Sequence, residues 1–427
     1  MTRALEGIKV IDVSQVAAVP MCARHLADFG ADVIHVENPN TGDSWRIFQD
    51  NQTAAMSAVP SDIDYSWEVY NRNKRSITLN LAEEGGREIL YRLTEKADVF
   101  LTNLRSFEME RFGVEYAKLT NVNPRIIYGS VSGFGKSGPE KDLPAYDTTA
   151  YWARSGIPYV FSVPGVPVLA YRPAFGDNVA ALVLAYGVMM ALFVRERTGT
   201  GQEVHVSLLH TGMYQISFDI AGALATGLDF TDWRESPPPE AVTQAQMATT
   251  EIALFYAGKA TNPLSGSYTT KDLRRVLILT LQPDRYWKKF CLAIDREDLA
   301  NDPRYQTREA RAEHCLALRR TIGETFATKT REEWLPLLEG NIPYAPVQNL
   351  KEAINDPQAR ASSCFVNYDH PKYGRIEGVA SPISLSKTPA DVRMPAPEWG
   401  QHTEEVLLEA GYSKEDIARF KGQKVIE

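Results

Sequence analysis

The sequence predicts an α/β fold in which helices cover both faces of a doubly wound parallel sheet. Residues 8–13 are rich in β-branched side chains, which is typical of a buried strand. Helical spacing follows over residues 21–29 and ends at Gly30, and residues 32–37 form a second predicted strand. Because only a short crossover helix joins them, we expect the two strands to run parallel.

The same alternation of helix and strand returns further along the chain. Residues 84–96 have helical spacing, and residues 97–101 and 125–131 are typical of strands. Residues 202–207 alternate polar and apolar side chains, which predicts one more strand. The repeated rhythm is what a doubly wound α/β domain requires.

Composition changes at the proline-rich residues 236–240, which predict a linker. Beyond the linker the pattern predicts a short β region over residues 262–281. Charged, helical sequence follows over residues 284–338, and a final helix lies near residues 403–410. The chain of 427 residues is therefore expected to hold more than one domain.

Charge and cysteine content exclude several classes of protein. The chain has 46 Lys and Arg against 54 Asp and Glu, a formal net charge of −8, which argues against a nucleic-acid partner. Its four cysteines show no C-x-x-C pair, so we expect no metal site, no disulfides and a cytoplasmic location. The apolar run over residues 179–194 is shorter than the ~20 residues of a membrane span. We expect it to be a buried helix, with no membrane contact.

A glycine-rich segment follows the strand at residues 125–131. Residues 133–138 match G-x-G-x-x-G, but Pro139 and Pro144 interrupt the helix that a dinucleotide fingerprint needs. The first strand-to-helix turn contains no glycine at all. Nicotinamide binding is therefore disfavoured, and a glycine-rich loop shaped for another ligand stays open.

Asp177 lies in the segment 176–178, which immediately precedes the apolar run. One interpretation makes it the N-cap of the following helix, and its position alone favours that role. In the other it is a nucleophile that the helix dipole keeps ionised and that forms a covalent acyl intermediate. The histidines show no neighbouring acid or serine pattern and no G-x-S-x-G occurs, so a Ser-His-Asp hydrolase is not indicated. The cations Lys74, Arg75, Arg105 and Arg111 are, taken singly, more typical of solvated surface.

Six blocks in order along nearly the whole chain resemble the class III coenzyme A transferases, the family of formyl-CoA:oxalate and carnitine CoA-transferases. They are residues 5–12 with 30–34, 73–81, 123–128, 132–139, 176–177 with 197–202, and 400–413. The resemblance implies that Asp177 attacks a donor acyl-CoA, giving a mixed anhydride and then an aspartyl-CoA thioester. The acceptor acid reverses the steps. It implies CoA and acyl-CoA as substrates, with no tightly bound cofactor.

The resemblance also implies contacts with CoA. Positions that match the family's CoA contacts are Ala17, Ala18, Asn38, Leu79, Asn80, Asn103, Leu104, Arg111 and Tyr146. Arg111 matches a phosphate-binding arginine, and a forked guanidinium suits the phosphates of CoA. Tyr146 matches a residue beside the pantetheine arm.

Two departures from the formyl-CoA enzymes bear on the acid substrate. Those enzymes have a glutamine where this chain has Ala17, and a run of glycines where this chain has residues 262–268. The sequence is closer to the branch that uses larger acids, such as aryl- or alkyl-2-hydroxy acids, benzylsuccinate-like acids or carnitine.

Two alternatives stay open. An α-methylacyl-CoA racemase would need a histidine next to Tyr146, where residues 144–147 have none. A non-catalytic CoA-binding subunit of a hetero-oligomer would not need Asp177. The fold that the resemblance implies is a Rossmann-like large domain, residues 1–225 and 331–427, around a small α+β domain with its linker, residues 226–330. Two such chains would interlock as a homodimer, with a hetero-oligomer as the alternative.

Overall fold

A computed structural model describes residues 3–47, 61–161, 172–227 and 261–427. The predicted linker at residues 236–240 lies outside the described residues. The chain divides into two compact units. The first comprises Met1–Pro158, Ala170–Ile220 and Gln358–Glu427, and the second comprises Tyr159–Leu169 and Ala221–Pro357.

A six-stranded parallel sheet forms the centre of the first unit, with strand order β3-β2-β1-β4-β5-β6. The strands are β1 Lys9–Val13, β2 Asp32–Glu37, β3 Lys74–Thr78, β4 Val99–Thr102, β5 Ile127–Ser132 and β6 Glu203–Ser207. The order reverses between β1 and β4, which is the point at which ligands bind to doubly wound sheets. The predicted α/β class with a parallel sheet is confirmed.

Helices lie against both faces of this sheet. The helices of the first unit are α1 Ala18–Asp28, α2 Tyr65–Asn71, α3 Glu84–Thr94, α4 Ser106–Phe112, α5 Tyr116–Val122, α6 Ile157–Phe161, α7 Phe175–Thr198, α8 Leu208–Gln215 and, at its boundary, α9 Ser217–Thr226. One face buries Ile11, Ile34 and Phe100 against α3 and α5. Helices α1 and α7 pack together on the other face, where α7 contacts β5 and β6.

The second unit has its own core. Its three-stranded antiparallel sheet consists of β7 Ser265–Thr269, β8 Arg275–Leu279 and β9 Tyr344–Pro346. Its helices are α10 Pro283–Ala293, α11 Glu297–Asn301, α12 Arg308–Glu313, α13 Cys315–Phe326, α14 Arg331–Leu338, α15 Leu350–Ile354 and, at its boundary, α16 Pro357–Ala361. Trp334 is fully buried among stacked aromatic rings, including Phe326 at a centroid distance of 4.9 Å.

The carboxyl-terminal segment returns to the first unit. It forms a hairpin of β10 Phe365–His370 and β11 Gly374–Val379, and then helices α17 Thr403–Glu409 and α18 Lys414–Gly422. The prediction that the helix near residue 403 is the last one is wrong, because α18 follows it. Phe420 of α18 is buried in the same apolar cluster as Leu407 of α17, so both helices cover the sheet.

Helix α7 is longer and less buried than the sequence predicts. It has 24 residues, and among the described residues it is the one helix long and apolar enough to span a membrane by length and composition. Only a third of its most apolar window is buried, so the prediction of a buried helix is wrong for its outer face. That face exposes Tyr186, Met190 and Phe193. Its inner face buries Leu184 and Val188 against the sheet.

A glycine in β5 permits this close packing. A Cβ atom at Gly129 would lie 2.6 Å from Cδ2 of Leu101, 3.3 Å from Cγ2 of Val188 and 3.4 Å from Cδ1 of Leu184. A larger side chain would therefore push α7 away from the sheet. Because α7 carries Asp177, the same contact fixes the position of the predicted nucleophile.

We expect Gly129→Val to lower the free energy of unfolding by about 2–4 kcal/mol, because the added atoms overpack the α7–sheet contact. Thermal unfolding measures the loss. Gly323→Ala is the control, since nothing lies within 4 Å of its added Cβ in α13. It should change stability by less than about 1 kcal/mol. Equal effects of the two substitutions would contradict this packing account.

Candidate active site

A cavity of about 780 Å³ opens at the carboxyl end of the parallel sheet. It brings together Asp177 and five of the nine predicted CoA contacts: Ala17, Ala18, Asn103, Leu104 and Tyr146. These residues come from the β1–α1 turn, the segment after β4, the loop after β5 and the first turn of α7. Ligand sites of open α/β sheets form where such segments meet.

Asp177 lies in the first turn of α7 but does not cap the helix. Helix α7 begins at Phe175, after Ala174 in a left-handed conformation with φ of 57°, and no side chain caps it. Asp177 is therefore the third helical residue, and the N-cap interpretation is wrong. A Cβ atom at Gly176 would lie 2.4 Å from Cγ of Tyr151. This position therefore requires glycine, which lets the first turn of α7 pack against Tyr151.

The electrostatic environment of Asp177 differs from the one that the sequence predicts. Burial, reinforced by the nearby carboxylate of Asp147, raises the pKa of Asp177 to about 8. The expectation that the helix terminus holds this carboxylate firmly ionised is wrong. A carboxylate with a raised pKa is more basic, and a more basic oxygen is a better nucleophile once ionised.

Two further groups lie close to Asp177. The hydroxyl of Tyr70 donates a hydrogen bond of 3.3 Å to Oδ1 of Asn178, the residue next to the carboxylate. Burial and the neighbouring charge of Asp177 raise the pKa of Tyr70, so it remains a neutral donor. Sequence reasoning does not find Tyr70, because more than one hundred residues separate it from Asn178. Only the packing of α2 brings them together.

A serine–histidine pair lines the same cavity. Oγ of Ser132 lies 3.0 Å from Nε2 of His205, and Oγ also accepts a hydrogen bond of 3.0 Å from the backbone N–H of Gly135. Burial and the charge of Lys136 lower the pKa of His205, which favours its neutral form. The expectation that no histidine has a serine or acid partner is therefore wrong. Parallel pairing of β5 with β6, with Ser130 opposite His205, creates the contact.

The glycine-rich segment is part of the cavity wall. Gly133, Gly135 and Lys136 line the cavity, and no helix follows the segment directly. This agrees with the expectation that it is not a dinucleotide fingerprint. The ammonium of Lys136 pairs with Glu203 on β6 at 2.5 Å. Arg105 and Lys141 also line the cavity, so positive charge is present locally in an acidic protein.

The four remaining predicted contacts lie elsewhere. Asn38 and Leu79 line a neighbouring cavity of about 220 Å³, and Leu104 lines both cavities. Oδ1 of Asn80 accepts a hydrogen bond of 3.2 Å from the backbone N–H of Ala82, and Asn80 lines neither cavity.

Arg111 also lines neither cavity. It is exposed on α4, with its guanidinium 5.6 Å from the ring centroid of Phe112, and Phe112 itself lines the smaller cavity.

The other predicted surface cations differ from one another. Lys74 is fully buried, so the expectation of a solvated side chain is wrong for it. Its ammonium lies 3.0 Å from Oδ2 of Asp12. Arg75 pairs with Asp32 at 2.7 Å at the edge of the sheet. Within the described ranges, no cluster of three or more His, Cys, Asp or Glu side chains could hold a metal ion.

Comparison with known proteins identifies the class. The sequence model of CoA-transferase family III matches residues 5–403. The (R)-2-hydroxy-4-methylpentanoate CoA-transferase of Clostridioides difficile is 33% identical over 99% of this chain and 99% of its own. The cinnamoyl-CoA:phenyllactate CoA-transferase of Clostridium sporogenes is 30% identical over 100% of this chain and 98% of its own. The protein is therefore an enzyme of the CoA-transferase class.

Further similarities agree with this assignment. The formyl-CoA:oxalate CoA-transferase of Escherichia coli O157:H7 is 31% identical over the full length of both chains. A crystal structure of a CAIB/BAIF family protein from Brucella suis superposes with a TM-score of 0.77 and 25% identity. It covers 96% of this chain and 100% of that one. The chain belongs to CoA-transferase family III, and the resemblance that the sequence blocks carry is confirmed.

We expect Asp177→Asn to stabilise the protein at about pH 9 by about 1–3 kcal/mol and to have no such effect near pH 4. At pH values between the ordinary pKa of 3.8 and the raised pKa of about 8, Asp177 binds its proton more tightly in the folded than in the unfolded state. Wild-type stability therefore falls as pH rises through this range, and the amide removes that loss.

Urea unfolding at the two pH values measures this difference. Asp142→Asn, at an exposed carboxylate near the cavity, is the control and should change stability by less than about 0.5 kcal/mol at both pH values. An Asp177→Asn variant that is equally stabilised at both pH values would contradict the assignment of a raised pKa to Asp177.

Proposed function

We propose that this enzyme transfers CoA from an acyl-CoA donor to a carboxylic acid, with Asp177 as the covalent nucleophile. The observation that carries the proposal is the position of its carboxyl group in the wall of the 780 Å³ cavity, among five predicted CoA contacts. A thioester exchange conserves its bond type, so it needs a positioned carboxylate and an anchored CoA rather than an external energy source.

An oxygen of Asp177 attacks the donor thioester carbonyl, and CoA leaves as thiolate from a mixed anhydride. The thiolate then attacks the Asp177 carbonyl, which releases the donor acid and leaves an aspartyl-CoA thioester. The acceptor carboxylate attacks that thioester, and the returning thiolate takes the acceptor acyl group, which restores Asp177. Shelter from water protects the anhydride.

Protein groups around Asp177 suit these steps. Binding of a thioester displaces water but brings no charge next to Asp177, and the carboxylate loses its negative charge on forming the anhydride. The unfavourable proximity of Asp147 is then relieved. Asp177 lies in the first turn of α7, where the positive end of the helix dipole favours the oxyanion that forms when its carboxylate attacks.

For CoA itself we propose all nine matching positions as contacts. Leu104 joins the two cavities, which gives an extended ligand a continuous path from Tyr146 towards Asn38. Arg111 forms no ion pair with any described residue, so its guanidinium is available to a phosphate. Asn80 also stabilises its own turn, because its Oδ1 accepts a hydrogen bond from the N–H of Ala82.

For the acceptor we propose a larger 2-hydroxy acid rather than oxalate. Two relatives, at 33% and 30% identity, are named for (R)-2-hydroxy-4-methylpentanoate and phenyllactate, which are both 2-hydroxy acids with apolar side chains. The small side chain of Ala17 leaves room in the cavity wall. The oxalate enzyme at 31% identity makes oxalate the competing candidate.

The racemase alternative has less support. Tyr146 lines the cavity, and its neighbours Ala145 and Asp147 include no histidine. His205 lies in the cavity and is hydrogen-bonded to Ser132 rather than to an acid. A racemase transfers protons with a histidine and an aspartate, and among the described residues no acid is hydrogen-bonded to His205 to orient its ring.

We propose a cytoplasmic homodimer of interlocked chains. The exposed apolar residues Tyr186, Met190, Phe193 and Tyr214 give the first unit a surface of the kind that a second copy covers. Three of the four cysteines are buried free thiols, which a reducing compartment preserves. A hetero-oligomer with a second subunit is the alternative, which size determination of the purified chain would separate from the homodimer.

We expect Asp177→Ala to reduce CoA transfer by at least about 10⁴-fold, because no other group can form the anhydride. The dissociation constant for free CoA, measured by calorimetry, should change by less than about three-fold. Tyr159→Phe, at an exposed tyrosine that lines neither cavity, is the matched control and should retain activity. Substantial turnover by the Asp177→Ala variant would overturn the covalent mechanism.

A screen of acid acceptors tests the substrate class. With one acyl-CoA donor, we expect kcat/KM for 2-hydroxy-4-methylpentanoate and phenyllactate to exceed that for oxalate by at least about 100-fold, because an apolar wall binds their side chains. Equal or higher kcat/KM for oxalate would refute the acceptor assignment but not the transferase class. Exchange of the α-proton with solvent deuterium without CoA transfer would favour the racemase.

A further inference from the structure

The β1–α1 turn, residues 14–17, forms part of the wall of the large cavity and has an unusual backbone. Val16 adopts a left-handed conformation with φ of 72°. A β-branched residue is sterically disfavoured there, and such a residue persists only where its surroundings impose the conformation. Val16 itself lines the cavity, directly before Ala17 and Ala18.

Side chains from distant elements hold this turn. Oδ1 of Asp43 accepts hydrogen bonds from the backbone N–H of Val16 at 3.1 Å and from that of Trp45 at 2.9 Å. Asn103 forms two hydrogen bonds with the backbone of Gln15, the residue before Val16. Its Oδ1 accepts from the N–H of Gln15 at 3.0 Å, and its Nδ2 donates to the carbonyl of Gln15 at 2.7 Å. The hydroxyl of Ser14 donates to Asp12.

Asp43 is in turn fixed by buried charge. Its other oxygen, Oδ2, lies 3.5 Å from Nε2 of His35, whose Nδ1 lies 2.9 Å from Oδ2 of Asp12. Lys74 contacts the same oxygen of Asp12 at 3.0 Å. All four side chains are buried, and two of them are acidic and two basic. We call Asp12, His35, Asp43 and Lys74 the buried charge cluster.

The ionisation of this cluster keeps it rigid. Burial alone would lower the pKa of His35, but the Asp12 carboxylate outweighs that effect and raises the pKa to about 9. Burial would likewise raise the pKa of Asp12, but Lys74 and His35 hold it well below its usual range. Both ring nitrogens of His35 therefore carry protons near neutral pH and face a carboxylate on each side.

We propose that the buried charge cluster is a positioning device that acts through Asp43 to hold Val16 left-handed, and thereby shapes the turn that binds acyl-CoA. None of its four members lines the large cavity, so there they act on CoA only through the turn, whereas Asp43 also lines the smaller cavity. This proposal rests on the proposed function. A glycine at position 16 would adopt positive φ without a steric penalty. Because the residue is valine, the conformation of the cavity wall depends on the hydrogen bond from its N–H to Asp43.

The central test combines Asp43→Ala and Val16→Gly. Asp43→Ala removes the acceptor for the N–H of Val16, and we expect KM for acyl-CoA and Kd for free CoA to rise at least about ten-fold. We expect kcat at saturation to stay within about three-fold, because Asp177 lies on α7. In the Val16→Gly background glycine adopts the left-handed backbone without Asp43, so Asp43→Ala should there cost less than about three-fold in Kd for CoA. The double variant should thus recover most of the affinity that Asp43→Ala loses.

Two more variants separate positioning from folding. Asp43→Asn retains an oxygen acceptor, so its Kd for CoA should lie closer to that of the wild type than the Kd of Asp43→Ala does. Val16→Pro keeps all four side chains of the cluster, but it removes the N–H that donates to Asp43 and cannot adopt positive φ. It should therefore weaken CoA binding even where Asp43→Ala does not fold.

The outcomes are distinguishable. Unchanged CoA affinity in both Asp43→Ala and Val16→Pro, or no recovery in the double variant, would overturn the positioning role while leaving the transferase function intact. A wild-type enzyme that neither binds CoA nor transfers it would instead overturn the proposed function.

Discussion

Burial of the Asp177 carboxyl group at the carboxyl end of the parallel sheet is the constraint on which the cavity depends. Gly129 lets α7 approach β5, and Gly176 lets the first turn of that helix pack against Tyr151. The resulting environment, with Asp147 nearby, raises the pKa of Asp177 to about 8. The same packing that stabilises the domain thus places a basic, partly desolvated carboxylate beside the proposed CoA contacts, at a cost in stability above neutral pH.

Opposite Asp177, the cavity wall depends on charges that are more deeply buried. The Val16 turn is sterically disfavoured, and Asp43, His35 and Asp12 connect it to Lys74 in the sheet. Buried ion pairs contribute little net stability when compared with apolar side chains, so their presence is better explained by geometry that they impose. The chain has a formal net charge of −8. Basic side chains nevertheless lie close to the cavity: Lys74 belongs to the buried charge cluster, and Arg105 and Lys136 line the cavity itself.

The sequence predicts five of the six strands of the sheet, because they are short runs with clear helical connections, but it does not predict β3 Lys74–Thr78. It also predicts the family, since six blocks match in order. It does not predict that His205 meets Ser132, or that Tyr70 meets Asn178, because strand pairing and helix packing create these contacts between distant residues. Burial likewise raises the pKa of Asp177, against the expectation of a firmly ionised carboxylate. Lys74 is fully buried, although its local sequence is that of a surface cation. Sequence periodicity predicts which helices and strands form, but it does not predict how tertiary packing buries an individual charged side chain.

An isotope experiment tests the covalent role of Asp177 most directly. The enzyme is incubated with unlabelled acyl-CoA and an acceptor acid whose carboxylate carries ¹⁸O, and the peptide that contains Asp177 is then weighed by mass spectrometry. In the proposed sequence each turnover replaces one oxygen of Asp177 by one from the acceptor, so this peptide should gain about 2 Da after one turnover and approach about 4 Da after many, while other peptides stay unchanged. Product formation without label at Asp177 would contradict the anhydride and thioester intermediates.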